Sequence, residues 1–280
     1  MYPKVSTSPP PSSPTFGRSS NSSPLPEPAV HRSHANSAVW QRTSKSAVKK
    51  CSNFVHRLFH LNQMDFEFAF WQMIYLFLSP SKVYRNVVYR KQTKNQYSRD
   101  DPAFLVLLGV WFVISSTGLS IVLRLPFISF IKFLFWVVFI DCIAVGCIVA
   151  TLFWFIANKY LRKPDSINSE DVEWGFAFDV HLNAFFPPLL ILHVFQLFFF
   201  NVLINHDWFI ARLFGNTLWA IAVIYYLYIT FLGYSSLPHL HRTQTLLYPL
   251  IPLLFFYIVT LISGINICRA ILDFYNYRVY

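Results

Sequence analysis

The chain has 280 residues, of which 55% are hydrophobic, 19% aromatic and 13% charged, with a formal net charge of +10 at pH 7. That balance excludes a water-soluble globular domain, because several apolar runs reach the roughly 20 residues a helix needs to cross a bilayer core. Four cysteines (Cys51, Cys142, Cys147 and Cys268) form no Cys-x-x-Cys pair and two of them share one apolar segment, which argues against disulfides and against zinc.

The chain opens with MYPKVSTSPPPSSPTFGRSSNSSPLPEP, which holds 8 of the 17 prolines and no apolar core of the signal-peptide kind. The first hydrophobic span is therefore expected to direct its own insertion. Residues 1–46 are too rich in Ser and Pro and too poor in large apolar groups to offset the entropy of ordering, so they are predicted to form a disordered tail. Residues 47–102 read as a basic amphipathic or interfacial region. Within it, Val48, Cys51, Val55, Leu58 and Phe59 recur at helical spacing beside Lys49, Lys50 and Arg57, a pattern suited to an anionic membrane surface. The run Met64 to Leu78 is strongly apolar but too short to span comfortably, which predicts an interfacial or re-entrant helix. Ser79-Pro80 then reads as a cap and a first-turn proline opening KVYRNVVYRKQTKNQ, and Asp101-Pro102 reads as the same device at the start of the first membrane helix.

Residues 103–280 are predicted to hold five spans, at about 103–123, 128–157, 184–204, 211–233 and 246–267. The fold class is thus all-α: a polytopic membrane protein with amphipathic or interfacial N-terminal helices. Lys and Arg outside the spans divide eighteen against three between the two sides, which predicts a cytoplasmic N-terminus and a lumenal C-terminus.

Candidate chemistry is sparse. Lys82, Arg85, Arg90, Lys91, Lys94 and Arg99 form a juxtamembrane cluster, the candidate surface for anionic lipid or a protein partner. Positive charge interleaved with aromatics also meets the minimum for RNA binding, although no RNA-binding motif is present. Asp141 lies near the middle of the second span, where an ionised carboxylate is expensive. It reads foremost as a structural hydrogen-bonding group, because Cys142, Gly146 and Ala150 give that helix a close-packing face, and secondarily as a proton or cation site. In EDVEWGFAFDVHLNAFFPPLLILH, residues 170–193, Asp179 and His181 point roughly 200° apart on a helix, and His181 lies about 18 Å from His193 along it. Zinc spacings are absent, and the aromatics between the charges suggest an interfacial helix leading into the third span, with Pro187 and Pro188 kinking or starting it. No phosphate loop, nucleophile elbow or Ser/His/Asp constellation is present, so no enzyme activity and no cofactor is implied.

Several long strings are familiar. QMDFEFAFWQMIYLFLSPSKVYRNVVYRKQTKNQYSRDDPAFLVLL closely resembles the Unc-fifty family of eukaryotic Golgi membrane proteins, as do IDCIAVG, NKYL, DVEWGFAFDVHLNAFFP, GNTLWAIAV, YITFLGYSSLP and FYNYRVY. The likeness runs from about residue 55 to the end, and the Ser/Pro-rich head takes no part in it. It implies five spans with a cytoplasmic N-terminus, and residence in Golgi membranes, with the endoplasmic reticulum or inner nuclear membrane as further locations. It also implies a role in vesicle-mediated delivery or assembly of membrane cargo such as nicotinic receptors, through Arf exchange factors or coat proteins. RNA binding is suggested for some relatives, and no catalytic residues come with the resemblance. Two competing readings stand beside it: a small proton- or ion-coupled transporter using Asp141, and a lipid-modifying enzyme using Asp179, His181 and His193.

Overall fold

A computed structural model describes residues 56–58, 60, 64–94, 97–99, 101–163 and 171–279. The expected disordered tail lies outside these residues, as does nearly all of the amphipathic helix expected from residue 47 onward.

The described chain is all-α. Helix α1 (Phe66–Leu78) starts where the Asp65 carboxylate accepts the Phe68 N–H at 2.9 Å, a side-chain cap on an otherwise orphaned donor. Its thirteen residues make about 20 Å of helix, short of a roughly 30 Å hydrocarbon core. Ala69, Gln72, Met73 and Leu76 line its buried stripe, while Phe70, Ile74 and Leu78 stay exposed. A sharp turn at Ser79 leads into α2 (Pro80–Lys94), whose first-position proline lacks an N–H that the helix would leave unsatisfied there anyway. Val83, Tyr84 and Val87 bury one face of α2.

Among the described residues, five longer helices are apolar enough to cross a membrane: α3 (Ala103–Leu123), α4 (Phe127–Leu161), α5 (Trp174–Ile204), α6 (Phe209–Ser235) and α7 (Thr243–Ile262). Their outward faces keep Phe198, Val202 and Ile262 exposed, an arrangement that hydrocarbon tolerates and water penalises. Helix α5 is the hub. It packs along α4 and α6 and receives α1, and ten of its first seventeen residues are buried. At the end of the bundle where α3 begins, Lys163 N–H donates to the His239 carbonyl and His241 N–H to the Leu161 carbonyl. These bonds tie the two loops of that end together.

Two boundaries differ most from the expected spans. The third helix starts at Trp174 rather than 184 and runs unbroken through Pro187 and Pro188. A proline costs a helix one hydrogen bond and some crowding, and here the ladder widens to π-helix at Ile191–Phe195, a local adjustment that keeps the chain helical. The fifth span stops at Ile262 rather than 267. Gly264, at φ 75°, occupies the left-handed region that glycine enters without a Cβ penalty. The chain then reverses into α8 (Ile267–Val279), a helix that lies against α6 and the start of α4.

Candidate functional site

At the end where α3 begins, α2 turns its apolar face inward, which leaves Lys82 and Arg85 exposed on its outer side. Arg90 and Lys91 are half-buried and Lys94 closes the helix. The Lys82 Nζ lies 4.8 Å from the centre of the Tyr75 ring and the Lys91 Nζ 4.9 Å from that of Tyr97, cation–π distances that hold both ammonium groups close to the protein surface.

Arg99, counted with this basic surface from the sequence, faces inward. Its backbone N–H donates to Asp179 Oδ2 at 2.6 Å, its Nη2 donates to the Asn183 carbonyl oxygen, and its guanidinium stacks 4.0 Å over the Phe104 ring. Next to it, Ser98 Oγ donates to Glu173 Oε2 at 2.8 Å. The link between α2 and α3 is thus strapped onto the first turns of α5. Burial lowers the Arg99 pKa, Asp179 opposes this, and the like charge of Arg90 adds to the lowering. Burial likewise raises the pKa of the Tyr84 phenol beside the strap, against the influence of Asn183 and Arg99. In the same region Asp171 pairs with Arg162 at 2.5 Å on the surface.

Asp101 and Asp65 are coupled. One Asp101 oxygen accepts the Ala103 N–H at 3.0 Å and starts α3, and the other accepts the Asp65 N–H at 2.8 Å. A single carboxylate therefore sets the positions of two helix starts.

Asp179 and His181, two apart in sequence, serve different neighbours. His181 Nδ1 lies 2.8 Å from the Tyr226 hydroxyl, and its other ring nitrogen sits against Gly146 in the small-residue face of α4. A Cβ added at Gly146 would come within 2.6 Å of that nitrogen. Gly146→Ala is expected to destabilise the bundle by about 1–3 kcal/mol through overpacking. Thermal unfolding of the purified protein in detergent checks this, and an unchanged midpoint would mean that the His181 ring can yield.

Asp141 lies in a π-helical segment of α4, Trp136–Ala144. Its Oδ1 is 3.3 Å from Arg278 Nη1, and the Arg278 guanidinium also stacks 4.0 Å over the Trp136 ring. From the sequence Arg278 counted only as a tail charge. The signal that could have found it is the need of a lone acid inside an apolar span for a cation. Around this pair α8 closes over the bundle. Ser129 Oγ donates to the Val279 carbonyl at 3.1 Å, Tyr275 meets Phe133 edge to face, and Cys268 Sγ contacts the Gly215 carbonyl at 3.0 Å. Asn216, fully buried, holds the turn into α8: its Nδ2 donates to the Ile265 carbonyl at 2.9 Å and its Oδ1 accepts the Ile267 N–H at 2.7 Å. Burial pushes the Cys268 thiol up to about 12, so it is protonated and inert at neutral pH while α8 is seated.

Among the described residues no group of three or more His, Cys, Asp or Glu side chains is placed to hold a metal ion. His181, His193 and Asp179 do not converge. The polar side chains that can be placed pin loops and tail to the bundle, and they surround no common reacting point. Fold and polar groups together define a polytopic α-helical membrane protein with five spans, a basic outer helix at one end and a C-terminal helix folded back over the other.

The chain belongs to the UNC-50 family, whose sequence model matches residues 54–276. It is similar to the protein unc-50 homolog of Rattus norvegicus, with 55% identity over 258 residues that cover 91% of this chain and 99% of the relative. It is also similar to the homolog of Drosophila melanogaster, 53% identical over 258 residues covering 92% and 90%, and to that of Homo sapiens, 57% identical over 234 residues covering 84% and 90%. No solved structure matches the chain. The resemblance read from the quoted strings is therefore a family membership, and the first 53 residues lie outside the matched region.

Proposed function

We propose that this protein is a non-enzymatic Golgi and early secretory membrane protein that acts in vesicle-mediated transport, supporting surface delivery or assembly of membrane cargo such as receptors. Its N-terminus is cytoplasmic and its C-terminus lumenal. The outer face of α2 recruits an Arf exchange factor or coat protein at an anionic membrane surface. The observation that carries this reading is the division of α2: Val83, Tyr84 and Val87 are buried against the bundle, while Lys82 and Arg85 project outward beside Lys91. Each cation near an anionic leaflet contributes about 1 kcal/mol of attraction. Family membership and the eighteen-to-three charge asymmetry support the same reading.

The pairing of Asp141 with Arg278 supports a structural role for that carboxylate over a transport role. The triple change Lys82→Glu/Arg85→Glu/Lys91→Glu removes three attractions of about 1 kcal/mol each and adds three repulsions, so the outer face of α2 is expected to lose its association with anionic headgroups. Imaging of Golgi residence and co-purification of exchange-factor or coat partners measure the consequence. Wild-type values for both would overturn the proposal.

A further inference from the structure

Between α1, α2 and the first turn of α3 lies an open cavity of about 210 Å³. Gln72, Arg90 and Arg99 line it together with Phe104, Asp65 and Asp101. Gln72 is only 2% exposed, and its Nε2 has no hydrogen-bond partner; the buried Nη1 of Arg99 has none either. Both orphaned polar atoms on the wall are donors, and buried donors are costly to leave without acceptors. Arg99 is already fixed by Asp179, Asn183 and Phe104, so its remaining edge is presented in one orientation. Arg90 brings a second positive charge close to it.

The two acids on the wall hold backbone rather than the orphaned donors. Both Asp101 oxygens accept N–H groups, from Ala103 and from Asp65, and Asp65 Oδ1 accepts the Phe68 N–H. What the cavity wall lacks is an acceptor for these two donors, and a group with several oxygens would meet both. Its place suits one, because it opens where the α3 span begins, at the positive end of that helix dipole and beside the exposed Phe68 and Phe70 of α1.

We propose that this cavity binds a phosphate monoester, with Arg99 and Arg90 supplying charge-assisted hydrogen bonds and Gln72 a neutral donor. The phosphate can come from a lipid headgroup whose acyl chains leave along α1, or from a free anion. This is separate from the surface electrostatics of α2, since the charge-reversal test above leaves Gln72, Arg90 and Arg99 in place.

The test uses the full-length protein in phosphatidylcholine nanodiscs doped with either phosphatidic acid or phosphatidylserine, with and without inorganic phosphate. Retained lipid is read by native mass spectrometry and stability by thermal unfolding. Phosphatidic acid should be retained over phosphatidylserine and raise the unfolding temperature, and Gln72→Met or Arg90→Gln should each weaken retention roughly tenfold. Because Gln72 Nε2 is unsatisfied without ligand, Gln72→Met should leave the lipid-free unfolding temperature at or above the wild-type value, which separates lost binding from lost folding. Competition by inorganic phosphate at matched concentration would identify a free anion as the occupant, and its absence would identify the lipid. Equal retention of the two lipids together with no stabilisation by inorganic phosphate, or wild-type retention by both variants, would overturn the proposal.

Discussion

Replacing Arg278 with Ala should destabilise the protein by about 3–5 kcal/mol, because it strands the Asp141 carboxylate inside a membrane helix without its cation. The stacking of the guanidinium on Trp136 is lost with it. The conservative Arg278→Lys keeps the charge but not the planar fork or the stack, so it should recover only part of the loss. Asp141→Asn should cost less than Arg278→Ala, because Arg278 keeps the Trp136 face. Combining Asp141→Asn with Arg278→Ala should be less damaging than the sum of the two, since the stranded charge is gone. Thermal unfolding in detergent measures the cycle. Cys268 gives a local readout: its buried, protonated thiol should resist maleimide in the wild type and react much faster once Arg278→Ala loosens α8. Strictly additive energies, or an unchanged Cys268 labelling rate, would mean that α8 is held by its apolar contacts alone.

Asp179→Ala is the second large effect, at about 3 kcal/mol. It leaves the Arg99 N–H without its acceptor and the inward-facing guanidinium without its neighbouring negative charge. Asp179→Asn keeps an acceptor oxygen while losing the charge, so it should cost roughly half as much. The strap over α5 should open locally before the bundle unfolds. In detergent-solubilised protein, trypsin should cut after Arg99 slowly in the wild type and rapidly in Asp179→Ala, with fragments identified by mass. Equal cleavage rates would show that Ser98–Glu173 and Arg99–Asn183 hold the strap without Asp179.

Much of this arrangement was legible in local chemistry. Asp101-Pro102 announced the start of α3 to within one residue: Pro102 stands at the cap, and the Asp101 carboxylate accepts the N–H of Ala103, the first helical residue. Ser79-Pro80 did the same for α2. Cys142, Gly146 and Ala150, four apart, marked the face on which α4 meets α5, and all three are buried. Pro187 and Pro188 misled about the start of the third span, because in a membrane helix the neighbouring elements and a π-helical turn absorb what a proline removes.

The sequence by itself determined the class, the five spans, the family and the basic face of α2, since each depends on apolar length, local spacing or the count of charges along the chain. Only the tertiary structure decided which charges are surface and which are partly buried fastenings. Arg99 and Arg278 look like any other cations in a tail or a linker, and the residues that claim them lie 80 and 137 positions away. A carboxylate in low dielectric requires a partner, but nothing in its neighbourhood along the chain says which cation the fold will bring to it.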